Sequence, residues 1–360
     1  MKYTKYGAFL LVLCIGAVPD LFADKGQMWP VPVNLSEPSQ NAIIFHNRKE
    51  EILVLGTELQ ADHQVDILEF IPFPSEPKVS IAQGNPFEAA EMLIKNKGLE
   101  FVEYSKGLAG PSPVSIVFEG RLGPHDVTIV QIRDISGFAD WTHAFFMNKG
   151  IVVAASLDAA TANAADYMRR GFTYFVFDYV HLSANSGAIA PLVYQFKSKQ
   201  LYYPFKTSNI TGNEGTANLI LILPGSLGLL QDHSDIKALQ RVSSSLFNWD
   251  LSSSAKLYPR EIADIVPGAH DFFGDQKIYL QVLRYSGPYY FEDDLLFDMT
   301  DIAPFAYKHV LYTPDYGNPL GGNYSLVGNL SKDELADIAE AYKLGANTWF
   351  FDPDILSLIQ

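Results

Sequence analysis

The sequence predicts an α+β protein with mixed, largely antiparallel sheets, packed helices and two domains. Strand-like and helix-like segments follow one another in mixed order rather than in strict alternation, which favours this class over a parallel α/β fold. Hydrophobic residues make up 48% of the 360 residues and aromatic residues 13%, as in a protein with a large core. Residues 207–215 are polar and rich in Asn and Gly, which is typical of a domain boundary. The predicted domains are residues 24–206 and 216–360, joined by a linker at 207–215.

The N-terminus has the charge and hydropathy order of a secretory signal. Lys2 and Lys5 precede an apolar run at residues 7–18. The small residue Ala23 then provides a suitable cleavage site for signal peptidase. The run has 12 residues, whereas a membrane-spanning helix needs roughly 20. We therefore expect residues 1–23 to be a signal peptide, the mature chain to have no transmembrane anchor, and its location to be extracytoplasmic, either periplasmic or secreted.

Removal of that segment changes both the charge and the cysteine content. Loss of Lys2, Lys5 and Asp20 leaves 24 basic and 40 acidic residues, a formal charge of −16. Nucleic acids and anionic membranes attract basic surfaces, so both are poor partners for this acidic chain. Cys14 is the one cysteine of the sequence, so the mature chain is expected to lack disulfides, thiolate metal sites and cysteine nucleophiles.

The first half carries most of the regular secondary-structure signals. Residues 41–57 predict a hairpin around a polar turn, and residues 65–71 predict a strand that ends where prolines begin at 72. Asn85, Pro86 and Gly98 are the start and stop signals of a helix. The other predicted elements of this half are strands at 114–118, 127–132, 172–180 and 192–196, and helices at 136–150 and 157–170.

The second half has weaker signals until its end. Strands are predicted at 217–223, 278–283 and 347–351, and a weak helix at 236–246. Ser331 and Glu334 have the spacing of a capping box, and Gly345 is a helix stop, so a further helix is expected between them.

Several of these segments together resemble a known family. Glu37-Pro38-Ser39-Gln40-Asn41-Ala42-Ile43-Ile44, the hairpin after it and the Pro-rich stretch at 68–77 are similar to the exported prokaryotic proteins called DUF2330. The order of later elements up to residue 224 follows the same pattern. The resemblance implies export and this architecture, and it implies no catalytic residues.

Tyrosines of the second half are candidates for ligand binding. Exposed aromatic rings give rigid contact area with a hydroxyl group for hydrogen bonding. The alternative is packing within a sheet, where aromatic residues are enriched. The candidate ligand-binding residues are Tyr202, Tyr203, Tyr289 and Tyr290.

Acidic residues at 292–301 are the candidates for binding a metal ion. Carboxylates at this density repel one another unless solvent or a cation neutralises them, and Ca²⁺ prefers oxygen ligands. The candidate metal ligands are Asp293, Asp294, Asp298 and Asp301. The apolar residues 295–297 interrupt them, which favours a strand with carboxylates pointing in different directions. Calcium is therefore a secondary hypothesis, no cofactor is expected, and Asp294→Asn is expected to be nearly neutral.

No sequence motif assigns a reaction to the chain. Ser226 lies in Gly225-Ser226-Leu227-Gly228, which lacks the spacing of a nucleophile elbow, and no helix carries a His pair at i, i+4. We expect a non-enzymatic exported binding or envelope-associated protein that recognises a protein or glycan ligand. The alternative is an extracytoplasmic hydrolase that cleaves glycans with paired carboxylates, which must lie roughly 5–10 Å apart.

Overall fold

The computed structural model describes the central part of the chain. The described residues are 25–36, 39–57, 59–99, 101–102, 125–153, 157–182, 190–210, 214–227, 249–252, 254–300 and 302. The predicted signal peptide, the predicted elements at 114–118, 236–246 and after 330, and Asp301 lie outside these residues.

The described elements confirm the predicted α+β class. The helices are α1 (Pro86–Lys97), α2 (Ile135–Asn148), α3 (Asp158–Arg169) and α4 (Ala269–Phe272), with short 3-10 turns at Phe205–Ile210 and Pro259–Ile262. The strands of the first half are β1 (Gly26–Met28), β2 (Leu35–Ser36), β3 (Ser39–His46), β4 (Glu50–Thr57), β5 (Gln60–Ala61), β6 (Val65–Phe73), β7 (Lys78–Ile81), β8 (Phe101–Val102) and β9 (Asp126–Gln131). The remaining strands are β10 (Tyr174–Leu182), β11 (Leu192–Lys197), β12 (Gln200–Tyr203), β13 (Glu214–Leu223), β14 (Trp249–Ser252), β15 (Ala255–Leu257), β16 (Ile278–Pro288) and β17 (Leu295–Asp298).

Two sheets hold most of these strands. A four-stranded sheet has the order β1-β6-β10-β9, and a nine-stranded sheet has the order β7-β11-β4-β3-β13-β16-β14-β8, with β15 also on β16. Two small two-stranded sheets pair β12 with β17 and β2 with β5. All neighbours are antiparallel except β3 and β13, which pair in parallel.

The two main sheets pack face to face, and helices cover their outer faces. Phe73 of the four-stranded sheet contacts Tyr194 of the nine-stranded sheet, with ring centroids 5.2 Å apart. On its other face, Phe70 meets Phe138 of α2 at 5.2 Å. The apolar face of α1 packs in a second core with the far side of the nine-stranded sheet. Side chains alternate between the faces of a strand, so β6 places Phe73 in one apolar layer and Phe70 in the other.

The predicted linker at 207–215 does not separate two sheets. Residues 207–210 form part of a 3-10 turn, and β13 begins at Glu214. Strand β13 then pairs with β3 from the first half and with β16 from the second half. The polar sequence that suggested a boundary is followed by a strand in the centre of a sheet that both halves share.

Local capping explains why α1 was predictable. The Asn85 side chain accepts a 3.2 Å hydrogen bond from the backbone N–H of Glu88, and Gly98 adopts a left-handed conformation with φ of 59°. These are the two ends that the sequence indicates. Strand β6 differs from its prediction because it continues through Pro72, which lies opposite Phe175. Strand β1 pairs with β6 only as far as Phe70, so at position 72 the missing N–H of proline costs no described ladder bond.

Candidate functional site

Asp294, one of the candidate metal ligands, is a buried partner of Arg170. Its carboxylate lies 2.9 Å from Arg170 Nη2, and its Oδ1 accepts hydrogen bonds from the Tyr167 hydroxyl at 2.6 Å and from the backbone N–H of Lys206 at 2.9 Å. Burial raises the pKa of Asp294, although Arg170 and these donors favour its charged form. The group therefore ties α3 to the segment before β17, and these contacts lead us to expect that its replacement destabilises the protein.

Of the other described candidate carboxylates, Asp293 shares Arg170 with Asp294, whereas Asp298 has a different partner. Asp293 lies 3.1 Å from the same Arg170 guanidinium. Asp298, at the end of β17, accepts hydrogen bonds from the backbone N–H and the hydroxyl of Thr300. An extended chain rises about 3.3 Å per residue, which puts Asp298 about 13 Å from Asp294. Among the described residues, no group of three or more His, Cys, Asp or Glu side chains is arranged to hold a metal ion.

Three of the four candidate tyrosines lie in the core. Tyr202, Tyr203 and Tyr289 are buried, whereas Tyr290 is 75% exposed. The Tyr202 hydroxyl donates to the carbonyl of Pro72 at 2.8 Å, and that of Tyr289 donates to the carbonyl of Thr216 at 2.9 Å. The rings therefore pack as cross-sheet core residues and do not form the shared ligand surface proposed for them.

A buried network of charges that the sequence did not indicate lies between the two main sheets. Lys25 Nζ is 2.7 Å from Glu69 and 3.9 Å from Asp178. His125 Nδ1 lies 2.7 Å from Asp178 Oδ2, and its Nε2 lies 2.8 Å from the carbonyl of Ala190. Burial raises the pKa of Glu69, and Lys25 opposes that shift. The network therefore joins β1, β6 and β10 through contacts in the interior.

A second buried pair lies opposite one another at the end of the β3–β4 hairpin. His46 and Glu51 are register partners. Burial lowers the pKa of His46 to about 4 and raises that of Glu51. The Arg48 N–H donates to His46 Nδ1 at 2.9 Å, and the Tyr202 N–H donates to Glu51 Oε2 at 2.8 Å. Both groups are therefore held by the backbone, away from solvent.

Within the described ranges, an open groove beside β7 is a candidate binding site. Its volume is about 350 Å³, and it is lined by Glu50, Ser75, Glu76, Lys78, Gln195, Phe196 and Lys197. One wall is fixed by Ser75, whose hydroxyl donates to the Lys197 carbonyl at 2.8 Å and accepts from the Lys197 N–H at 3.0 Å. In these two bonds, the Ser75 hydroxyl takes the place of the backbone N–H and C=O groups that a further residue of β7 would offer to Lys197. The groove thus has a rigid wall where β7 and β11 stop pairing.

The charges of this groove differ from those of the interior networks. Glu76, Lys78 and Lys197 are exposed, and Glu50 accepts a 3.2 Å hydrogen bond from Gln195. Within the described part of the chain, no ion pair engages any of the four charged side chains that line the groove. Two cations and two carboxylates are therefore available to a ligand within one concave surface.

Sequence reasoning missed this groove because it treated the prolines at 72–77 as the end of sheet structure. Strand β7 follows them directly and pairs with β11 from Lys78 opposite Gln195 to Ile81 opposite Leu192. The alternation Lys78-Val79-Ser80-Ile81 was a signal for a short strand. The contribution of β11, more than 100 residues later, left no signal near those positions.

Comparison with known proteins identifies a family and a similar solved structure. A family described as "Uncharacterized protein conserved in bacteria (DUF2330)" matches residues 40–297. The crystal structure of baculovirus P35 is similar at a TM-score of 0.43 and 10% identity, over 75% of this chain and 98% of that one. That similarity is too low to support an argument, and no curated protein matches the chain.

The family match reaches further than the resemblance seen in the sequence. It begins at Gln40 and ends at Phe297 in β17, so it includes strands from both sides of the predicted linker. None of the helices that the structure describes has the length and hydropathy to cross a membrane. Because the family model covers well over half of the 360 residues, the chain belongs to the DUF2330 family of bacterial proteins.

Proposed function

We propose that the mature chain is a non-enzymatic binding protein that works outside the cytoplasm, and that its ligand occupies the groove beside β7. The observation that carries the proposal is the set of charges on the groove walls. Lys78 and Lys197 face a ligand together with Glu50 and Glu76. In the interior, by contrast, Arg170 and Asp294 are paired with each other. Charged side chains that form no ion pair within the protein can give an interface its specificity.

Binding is a better proposal than glycan hydrolysis. A hydrolase needs one carboxyl group as acid and a second as base or nucleophile across the sugar. Asp293 and Asp294 both face Arg170, and Asp298 is bonded to Thr300 instead. These three carboxylates are engaged within the protein, which favours binding over hydrolysis.

Export is the other part of the proposal, and it rests on the sequence. The basic, apolar and small-residue order of residues 1–23 supports it. The buried position of Lys25 is compatible with cleavage after Ala23, because the network of Lys25, Glu69 and Asp178 would stay intact.

The proposal is tested by binding of labelled mature chain, residues 24–360, to printed arrays of peptides and of glycans. We expect at least one class of ligand to bind. The double variant Lys78→Glu and Lys197→Glu should weaken binding by about tenfold or more, because it reverses both cations of the groove. The matched control is Lys95→Glu on α1, where Lys95 pairs with Glu91 on the surface.

Two results would contradict the proposal. One is equal loss of binding in the control and in the groove variant, which would point to net charge instead of the groove. The other is turnover of an array glycan by the mature chain, which would restore the enzymatic alternative.

A further inference from the structure

We propose that the ligand of the groove is an extended polypeptide segment, which adds as a new strand to the outer side of β7. This inference rests on the proposed function and names the partner class of the same site. Strand addition uses the backbone donors and acceptors of a sheet edge for affinity and nearby pockets for side-chain specificity. Both features are present beside each other at this edge.

Strand β7 is an edge strand whose outer side is open. It is the terminal strand of the nine-stranded sheet, and β11 is its one partner among the described residues. Ser80 and Ile81 are both exposed, and Ile81 retains 54% of its accessible surface. Consecutive residues of a strand point to opposite faces, so exposure of both means that neither face nor the edge is covered at this end of β7.

The pairing pattern identifies which backbone groups face outwards. The Ala82 N–H donates to the carbonyl of Pro191 at 2.9 Å, and Ala82 follows β7 directly. In an antiparallel pair, hydrogen-bonded and non-hydrogen-bonded residues alternate. Ser80 and Lys78 therefore bond to β11, whereas the N–H and C=O groups of Ile81 and Val79 point away from it. These are the groups that an added strand would pair with.

The groove lies where such a strand would continue. Ser75, Glu76 and Lys78 line it at the N-terminal end of β7, and Lys197 lines it from β11. The four residues of β7 span about 13 Å at 3.3 Å per residue. The groove extends from there across β11 to Glu50 of β4, so a peptide paired along that length would place its next side chains beside Glu76 and Lys78, on the near side of the groove. The expected ligand is therefore a polypeptide with both acidic and basic side chains rather than a uniformly charged polymer.

The test begins with a phage library of random twelve-residue peptides selected on the mature chain. Selected peptides are synthesised with single backbone N-methyl groups, because each removes one donor and leaves the side chains unchanged. We expect alternate positions of the paired segment to lose binding, with a period of two residues. A loss at every position or at none would overturn strand addition.

Two protein variants test the same contact from the other side. Ile81→Pro removes an outward donor and no bond to β11, so it should abolish binding while the melting temperature stays close to that of the parent. Ile81→Thr keeps the donor and should bind as the parent does. Retained binding in a folded Ile81→Pro variant would overturn the inference. If that variant does not fold, the binding of the N-methylated peptides decides between strand addition and another mode of binding.

The experiments separate failure of this inference from failure of the proposed function. Peptides that bind and depend on Lys78 and Lys197, but tolerate both N-methylation and Ile81→Pro, would keep the groove and exclude strand addition. Glycans that bind there, with no peptide selected, would have the same meaning. Peptides insensitive to both sets of changes would contradict both proposals.

Discussion

Arg170, the residue that follows α3, lies 2.9 Å from the buried carboxylate of Asp294, the residue that precedes β17. The guanidinium also lies over the rings of Tyr167 and Phe172, at 5.1 and 5.3 Å from their centroids. The pair therefore joins two segments that are distant in sequence. It makes the acidic stretch a structural element of the core.

Asp294→Asn should destabilise the protein by about 2–4 kcal/mol, because it leaves the partly buried charge of Arg170 without its closest partner. The measurement is the free energy of unfolding in urea. Asp298→Asn is the matched control, since Asp298 is exposed and bonds to neighbouring Thr300. Equal effects of the two substitutions would contradict the assignment of Asp294 to the core.

Lys25→Met should cost about 3 kcal/mol or more, because it removes the cation from two buried carboxylates. Lys25 and Glu69 are both buried at 2.7 Å from one another. Adding Glu69→Gln to the same chain should restore part of the loss, since it removes one uncompensated charge. Additive losses in the double variant, measured by urea unfolding, would show that the two groups are not coupled.

The stability that His46 contributes should depend on pH. Burial lowers its pKa from 6.5 to about 4 in the fold, so the unfolded chain binds this proton first as the pH falls. The contribution is complete above about pH 6.5 and decreases as the pH falls towards 4. Between pH 7 and pH 5 the parent should lose about 2 kcal/mol relative to His46→Gln. Parallel pH profiles of unfolding for the two proteins would contradict this prediction.

Tyr202→Phe should destabilise the protein by about 1–2 kcal/mol, because the carbonyl of Pro72 loses its buried hydroxyl donor. Tyr290→Phe is the control, and it should stay within about 0.5 kcal/mol of the parent because Tyr290 is exposed. Thermal unfolding of both variants measures the difference. A cost at Tyr290 as large as that at Tyr202 would mean that the exposed ring has a structural contact.

Mass spectrometry of the exported protein should find a mature chain that begins at or near Asp24. Cleavage beyond Lys25 would remove a buried residue that binds Glu69, so processing should leave Lys25 in place. Recovery of intact Met1 from the cytosolic fraction alone would contradict export.

Reductant should not change the melting temperature of the mature chain, since Cys14 lies in the predicted signal peptide.

The sequence alone determined the local elements and the fold class. The hairpin of β3 and β4, helix α1 with its caps at Asn85 and Gly98, and the apolar stripe of α2 follow from periodicity and from the conformations that capping residues favour. The family was also recognisable, because its Pro-rich stretch and the strands around it are contiguous. Each of these signals depends on residues that are close together along the chain.

Only the tertiary structure decided which residues meet. Asp294 reads as part of a solvated acidic stretch, yet it is buried because α3 places Arg170 and Tyr167 beside it. The polar sequence at 207–215 is typical of a linker, yet β13 begins at Glu214 and pairs between β3 and β16. The groove exists because β11 places Lys197 next to Ser75. Pairing partners so far apart in sequence are selected by packing of the whole sheet, and no local pattern of residues encodes that choice.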